Sequence, residues 1–215
     1  MCFNEPVSWV TLIVGTIINI LSIIYLVHLG KPNIILPIII VLVWQYGLLM
    51  QVADALSWRN PTSTNPGKLA FILNITQPII YFIGVCIIFY ILKIPIIRLV
   101  PAIILCIIYI IYIFRAISHI DFKLKFDNCS NLQYTWWKQI PAITYILLML
   151  SILLSIPSIP LIIVNVILFL GTLLISKLLV NKQCSPGSLW CWSVALSGLV
   201  VTLTWKYTNN VQIFN

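Results

Sequence analysis

Residues 140–180 read IPAITYILLMLSILLSIPSIPLIIVNVILFLGTLLISKLLV, a run of about 41 largely apolar residues. As a helix, this run would be about 60 Å long, twice the roughly 30 Å thickness of a bilayer core. Pro157 and Pro160 lie near its middle and indicate a turn there. The run therefore predicts two membrane spans joined by a tight hairpin, with a re-entrant pair as the alternative.

The rest of the chain has the same character. Of its 215 residues, 61% are hydrophobic and 7% are charged, with a mean hydropathy of +1.10, whereas soluble domains carry about 25% charged residues. Seven apolar runs have the length of a membrane span: 7–28, 34–57, 69–92, 96–114, 140–156, 161–180 and 188–205. The sequence predicts an all-α, multi-pass integral membrane protein, with a single transmembrane domain over residues 1–215 that forms a seven-transmembrane-helix bundle.

The charged residues exclude several functions. The chain has 12 Lys and Arg against 4 Asp and Glu, but the basic residues fall singly at the ends of apolar runs, where they anchor helices to headgroups. Because they form no cluster with interleaved aromatic residues, nucleic-acid binding is not expected. The sequence also lacks the GxSxG, HExxH, P-loop and GxGxxG motifs. We therefore expect no enzymatic activity, no cofactor and no metal.

The distribution of basic residues predicts an orientation. Seven spans place the two termini on opposite sides of the membrane. The side of the N-terminus carries eight basic residues, namely Arg59, Lys68, Arg115, Lys123, Lys125, Lys138, Lys177 and Lys182. The other side carries four, namely Lys31, Lys93, Arg98 and Lys206. Since basic loops stay in the cytoplasm, this ratio favours a cytoplasmic N-terminus.

Asp54 is the acidic residue that lies within an apolar run. A carboxylate at the centre of a span costs about 2.5–3.5 kcal/mol on insertion scales, so it is a candidate functional site. Gln51 lies three residues earlier and shares its helix face, whereas Gln45 does not. Asp54 and Gln51 could form a proton or cation site. Alternatively, Asp54 lies close enough to Trp58 and Arg59 at the end of the span to be hydrated or paired there.

The third predicted span carries Asn74 and Gln77 just before Pro78. A proline within a helix removes a backbone hydrogen bond and frees carbonyl groups, which in some transporters bind the substrate or an ion. The alternative is a kinked helix with amide contacts to its neighbours. Asn19 and Asn165 are expected to form such interhelical contacts.

Four cysteines map to the side of the N-terminus, namely Cys2, Cys129, Cys184 and Cys191. They are candidates for free thiols or disulfides, and their spacing does not match a zinc site. Disulfides need an oxidising compartment, and Asn128 begins a glycosylation sequon. Both features favour the opposite orientation. Cys86 and Cys106 lie within spans and are expected to be apolar fillers.

The polar segment 115–139 allows two structures. Apolar and charged residues alternate at 120–126, which suits an extended segment, and the length also suits a short interfacial helix. Trp136, Trp137 and Lys138 follow, and this composition predicts an anchor at the membrane interface.

Three short stretches resemble an uncharacterised family of short multi-pass membrane proteins. Its members begin Met-Cys-Phe-Ser and carry Gly-Ser-x-Trp-Cys before the last span. This chain begins Met-Cys-Phe-Asn, with Asn4 in place of the serine, and has Gly-Ser-Leu-Trp-Cys at 187–191. Residues 51–58 are similar to a motif in the family's second span, with Asp54 in place of glutamate. The resemblance implies a multi-pass architecture and singles out Cys2, Asp54 and Cys191, but implies no activity.

Two functional hypotheses follow. The first is a transporter or channel for a small solute or ion, with Asp54, Gln51, Asn74 and Gln77 lining its path. The second is a non-enzymatic receptor, sensor or assembly component that acts through its cysteine-bearing face. The expected partners are membrane lipid and either a second copy of the chain or another membrane protein.

Overall fold

The structure is a computed structural model that describes residues 4–126, 132–138, 142–171, 174 and 187–208. Its α-helices are α1 (Glu5–Leu29), α2 (Ile35–Leu48), α3 (Met50–Arg59), α4 (Asn65–Ile91), α5 (Val100–Ala116), α6 (Ala142–Leu154), α7 (Ile159–Val166) and α8 (Gly187–Tyr207). Strands β1 (Leu124–Phe126) and β2 (Leu132–Tyr134) form an antiparallel hairpin between α5 and α6.

Four of the described helical segments are long and apolar enough to cross a bilayer. They are Glu5–Leu29, Ile35–Arg59, Asn65–Ile91 and Ile96–His119. The second combines α2 and α3, which meet at Leu49. These segments coincide with the first four predicted spans to within a few residues, and their length and apolarity indicate a multi-pass membrane protein.

Helix α1 begins and ends at residues suited to those positions. The side chain of Asn4 accepts a hydrogen bond from the backbone amide of Val7 (2.8 Å), which satisfies a donor that has no partner within the first turn. Gly30 ends the helix with φ +59°, a left-handed conformation that glycine adopts without strain. The helix also exposes many large apolar side chains, as expected of a surface that faces lipid.

The turn predicted at Pro157 is confirmed. Helix α6 ends at Leu154 and α7 begins at Ile159, and a π-helical turn (Ile167–Gly171) follows α7. The apolar helical segments on either side of the turn, Ile143–Leu154 and Ile159–Gly171, are shorter than a complete span. The count of seven membrane spans therefore stays a prediction.

Helices α1 and α8 end at the same end of the bundle. They pack against each other, and the ammonium group of Lys31, just after α1, donates to the carbonyl oxygens of Trp205, Lys206 and Thr208 at the end of α8 (2.7–3.2 Å). We call the end that holds the β-hairpin and the loop after α3 the hairpin end, and the end that holds Lys31 the opposite end.

Polar contacts join the helices within the apolar core, as predicted for both asparagines. The side-chain amide of Asn19 on α1 donates to the side-chain oxygen of Gln45 (2.8 Å). The side-chain amide of Gln45 in turn donates to the Thr16 hydroxyl (3.0 Å). The Trp44 indole donates to the side-chain oxygen of Asn165 on α7 (2.6 Å). Buried amides of this kind stabilise helix contacts in lipid, where no water competes for them.

In the described part of segment 115–139, helix α5 ends at Ala116, and the two strands lie between short 3-10 turns at Ile117–His119 and Thr135–Lys138. The alternating residues 120–126 are therefore extended and form no interfacial α-helix. The predicted interfacial anchor is wrong for Trp136, which is fully buried. Its ring stacks on Tyr134 and meets the edge of Phe71 on α4, with ring centroids 5.5 Å apart in both pairs. The hairpin folds back onto the bundle and thereby removes this tryptophan from the membrane interface. The side chains of Trp137 and Lys138 lie outside the described part.

Candidate functional site

The β-hairpin places a tyrosine over Asp54, the acid within the second spanning segment. The Tyr134 hydroxyl donates to a carboxylate oxygen of Asp54 (2.8 Å) and lies 3.3 Å from the Ser57 hydroxyl. Asp54 is 3% exposed, so water cannot replace this donor. The burial contradicts the hydrated form of the alternative reading of Asp54, whereas pairing of the acid near the end of the span stays a prediction.

Contacts within the hairpin segment hold Tyr134 in position. Tyr134 pairs with Leu124 in the strand register. The next residue, Thr135, donates from its hydroxyl to the backbone carbonyl oxygens of Asp121 (2.6 Å) and Lys123 (2.9 Å). Because the ring of Trp136 also stacks on Tyr134, the phenol is held from both sides and can act as a fixed donor.

The environment keeps Tyr134 in its neutral form. Burial raises the pKa of Tyr134 well above its ordinary value of 10.0, and the neighbouring Asp54 carboxylate raises this pKa further, while the hydrogen bond with Ser57 lowers it by less. A phenolate beside a carboxylate in a buried site would place two negative charges together. Tyr134 therefore keeps its proton and stays a hydrogen-bond donor at neutral pH.

The other predicted residues line the contact between α2–α3 and α4. Gln51 is buried on α3, on the same side as Asp54. On α4, the Asn74 amide donates to the Ala70 carbonyl (3.2 Å) and lies 3.0 Å from the Met50 sulfur. The structure thus places Asn74 and Gln77 of α4 against α2–α3 and buries Gln51 and Asp54 on α3. We call these four residues the polar seam (Gln51, Asp54, Asn74 and Gln77).

Gln77 lies near the middle of α4. Its side-chain oxygen accepts a hydrogen bond from the Tyr145 hydroxyl on α6 (2.8 Å), and its buried amide nitrogen lies near the Tyr81 hydroxyl without a hydrogen bond of good geometry. Gly47 faces this nitrogen, and a Cβ atom there would lie 2.6 Å from it. Glycine at position 47 therefore leaves the space that the amide occupies.

A small cavity adjoins this region of the core. It has a volume of about 20 Å³, and Tyr81, Gly84 and Asn165 contribute to its walls. The Tyr81 hydroxyl is buried and lies beside the Gln77 amide without a hydrogen bond of good geometry. A cavity of this size has room for about one water molecule, although most of its walls are aliphatic.

Helix α4 continues through Pro78, from Asn65 to Ile91. The predicted interruption is therefore absent from this described helix, and no unwound segment presents carbonyls to a ligand there. The Tyr109 hydroxyl of α5 donates to the Ile75 carbonyl oxygen (3.2 Å), one residue after Asn74, whose carbonyl loses its helical donor at Pro78.

The candidate thiols are not placed by the structure. Cys2, Cys129, Cys184 and the side chain of Cys191 lie outside the described residues. Cys86 and Cys106 are free cysteines within helices, consistent with apolar fillers. Among the described residues, no three His, Cys, Asp or Glu side chains lie close enough together to hold a metal ion.

The roles of two tyrosines of the site, Tyr134 and Tyr145, were not predicted from the sequence. Each lies far along the chain from the polar residue that it contacts, by 80 and 68 positions respectively. Neither falls in a motif that would have indicated the contact. The sequence matches no protein-family model, curated protein or solved structure.

Proposed function

We propose that this chain is a seven-span, non-enzymatic membrane protein that conducts protons or another small cation through the polar seam. The observation that carries the proposal is the Asp54 carboxylate, which is enclosed within a membrane-spanning helix and held by a tyrosine of the hairpin. Acidic residues within spans are costly, and many of them serve ion or proton pathways.

The common direction of α1 and α8 supports an odd number of crossings. Both helices end at Lys31, and if both cross the membrane, an odd number of crossings, such as the proposed seven, places their ends on the same side. Helices α6 and α7, with the π-helical turn, would supply the fifth and sixth spans. Their described segments of about 13 residues would measure about 20 Å each, and a complete crossing needs neighbouring residues outside the described part.

The polar seam supports a path for a small ion and not for a larger solute. Gln77 is 12 residues from Asn65, about 18 Å along α4, so the seam leads from the hairpin end to the middle of the bundle. The cavity beside Tyr81 then has room for about one water. Hydroxyl and carboxyl groups linked by single waters can relay a proton, and the amides can orient those waters, whereas a solute would need a wider passage.

The hairpin provides a means of control in this proposal. Tyr134 covers Asp54 at the hairpin end, so the carboxylate can exchange protons with water only when the phenol moves aside. Opening would leave the buried Asp54 without this donor, which favours the closed state at rest. Conduction would therefore be intermittent and would depend on local opening of the hairpin.

Proton flux into liposomes that hold a pH-sensitive dye and carry a potassium diffusion potential tests this function. We expect flux with the natural chain and the rate of empty liposomes with Asp54→Asn, because asparagine still accepts the Tyr134 hydrogen bond but cannot carry a proton. Asp121→Asn is the matched control, since Asp121 lies in the hairpin segment and outside the seam. Equal flux in Asp54→Asn and the natural chain would remove Asp54 from the path. The same liposomes with a sodium-sensitive dye and a sodium gradient distinguish conduction of sodium from conduction of protons.

We further propose that the hairpin end faces the cytoplasm, because Arg59, Lys68 and Arg115 lie at this end and basic loops favour the cytoplasmic side. Lys123 and Lys125 are exposed on the hairpin and provide a test. Trypsin should cleave there in inside-out vesicles and not in intact cells. Cleavage in intact cells alone would reverse the orientation.

A further inference from the structure

A cleft opens at the opposite end of the bundle, away from the polar seam. It has a volume of about 390 Å³ and lies between the turn before α5, the end of α6 and the start of α7. Arg98 contributes a guanidinium group to its wall, Ser151 and Ser155 contribute hydroxyls, and Leu154 and Ile162 contribute apolar surface. A volume of this order is typical of sites that hold small ligands.

The polar part of this cleft has the donors that an oxygen anion requires. A guanidinium presents several N–H groups in a planar arrangement that matches phosphate oxygens in pairs. The Ser155 hydroxyl already donates to the Ser151 carbonyl oxygen (2.7 Å), so Ser151 is the hydroxyl that we assign to the anion. Pro101, in the first turn of α5, also lines the cleft. The positive end of the α5 dipole therefore lies at the same wall.

The apolar part of the cleft indicates that the ligand also has an apolar portion. Leu154 is 62% exposed although it is large and apolar, and Ile162 lines the same cleft from α7. Arg98 belongs to the turn Ile96–Leu99, which joins two long apolar helices. Arginine side chains at such positions lie at the level of the lipid headgroups.

We infer that this cleft binds an anionic phospholipid, with the headgroup phosphate on Arg98 and Ser151 and the start of an acyl chain along Leu154 and Ile162. The same donors would also bind inorganic phosphate from solution. The apolar wall favours the lipid, because free phosphate would leave Leu154 and Ile162 without a partner. This site is separate from the polar seam and does not depend on the proposed ion path.

Native mass spectrometry of the full-length protein in detergent, with added phosphatidylglycerol or phosphatidylcholine, measures this binding. We expect one phosphatidylglycerol per chain to be retained in preference to phosphatidylcholine. Arg98→Gln should weaken the retention by about tenfold or more, the effect of losing charge-assisted hydrogen bonds. Lys93→Asn is the matched control, because it removes one positive charge from the same loop outside the cleft, and asparagine accepts the left-handed backbone there (φ +55°).

Two further variants keep the test independent of folding. Arg98→Lys retains the charge but loses the paired geometry, and Ser151→Ala removes a single hydroxyl, so each should weaken retention by less than Arg98→Gln does. If inorganic phosphate displaces the lipid, and its own binding also depends on Arg98, the cleft is an anion site. Its ligand would then be soluble phosphate, which would overturn the assignment to lipid. Retention that is equal in Arg98→Gln and the natural chain, or lost equally in Lys93→Asn, would overturn the inference.

Discussion

The hydroxyl of Tyr134 donates a 2.8 Å hydrogen bond to the carboxylate of Asp54, a residue 80 positions earlier in the chain. This bond ties the hairpin between α5 and α6 to helix α3 and encloses the acid. The loop segment is thus part of the folded core, although the sequence gives it the polarity of an exposed connection.

Replacement of Tyr134 by phenylalanine should destabilise the protein while its ring stays packed on Trp136. Asp54 would lose a buried donor, and hydrogen bonds to charged groups contribute about 1.5–3 kcal/mol. Thermal unfolding in detergent, followed by tryptophan fluorescence, measures the change. Tyr90→Phe is the control, because Tyr90 is 85% exposed, and an equal loss of stability in both variants would contradict a specific role for the Tyr134 hydroxyl.

Alkaline pH should reduce the stability that Tyr134 contributes. Burial, and then the charge of Asp54, raise the pKa of Tyr134 in the folded state above the ordinary value of 10.0. The unfolded chain therefore loses this proton first, and the contribution is complete below pH 10 and falls as the pH rises from 10 through the raised pKa. Melting temperatures of the natural chain and Tyr134→Phe, measured from pH 8 to 11, should converge above about pH 10. A constant difference over this range would show that Tyr134 titrates as an exposed tyrosine does.

Replacement of Gly67 by alanine should loosen the hairpin from α4. A Cβ atom at this position would overlap the backbone carbonyl oxygen of Phe122, which cannot move unless the segment before β1 moves with it. Overpacking of this kind typically costs about 1–3 kcal/mol. We expect a lower melting temperature and faster amide hydrogen exchange at 122–126 and 132–134.

Gly171→Ala is the matched control for this substitution. Among the described residues, its added Cβ atom would meet only the Ile167 side chain, at an ordinary contact distance of 3.7 Å. Stability should therefore change little in this variant. Unaltered exchange in the hairpin of Gly67→Ala would show that the close contact with Phe122 does not hold the hairpin on the bundle.

The long spans could be predicted from the sequence because length and apolarity are local properties. Helix α1 and the turn at Pro157 depend on residues next to one another, and both were predicted to within a few positions. The polar seam was predicted in part, because Asp54 and Gln51 share a face by helical periodicity alone. Its contact with Asn74 and Gln77 needed the packing of α2–α3 against α4.

The contacts made by the connecting segment could not be predicted in the same way. Trp136 and Lys138 have the composition of an interfacial anchor, and only the return of the hairpin onto α4 buries the Trp136 indole. The Tyr145 bond to Gln77 likewise depends on how α6 packs against α4. In both cases the decisive distance joins residues far apart in sequence, where no local pattern carries the information.

Lys31 should stabilise the end of α8, and its replacement by methionine tests this role. Its ammonium group donates to three carbonyl oxygens in and just after the last turn of that helix, where a positive charge also favours the helix dipole. Methionine keeps the length of the side chain and loses the donors and the charge, so we expect a loss of about 0.5–2 kcal/mol. Amide exchange should accelerate at 205–208. Lys93→Asn, which removes a basic residue from the same end, should leave this exchange unchanged. If both variants accelerate it equally, the effect belongs to net charge at this end of the bundle and not to the Lys31 contacts.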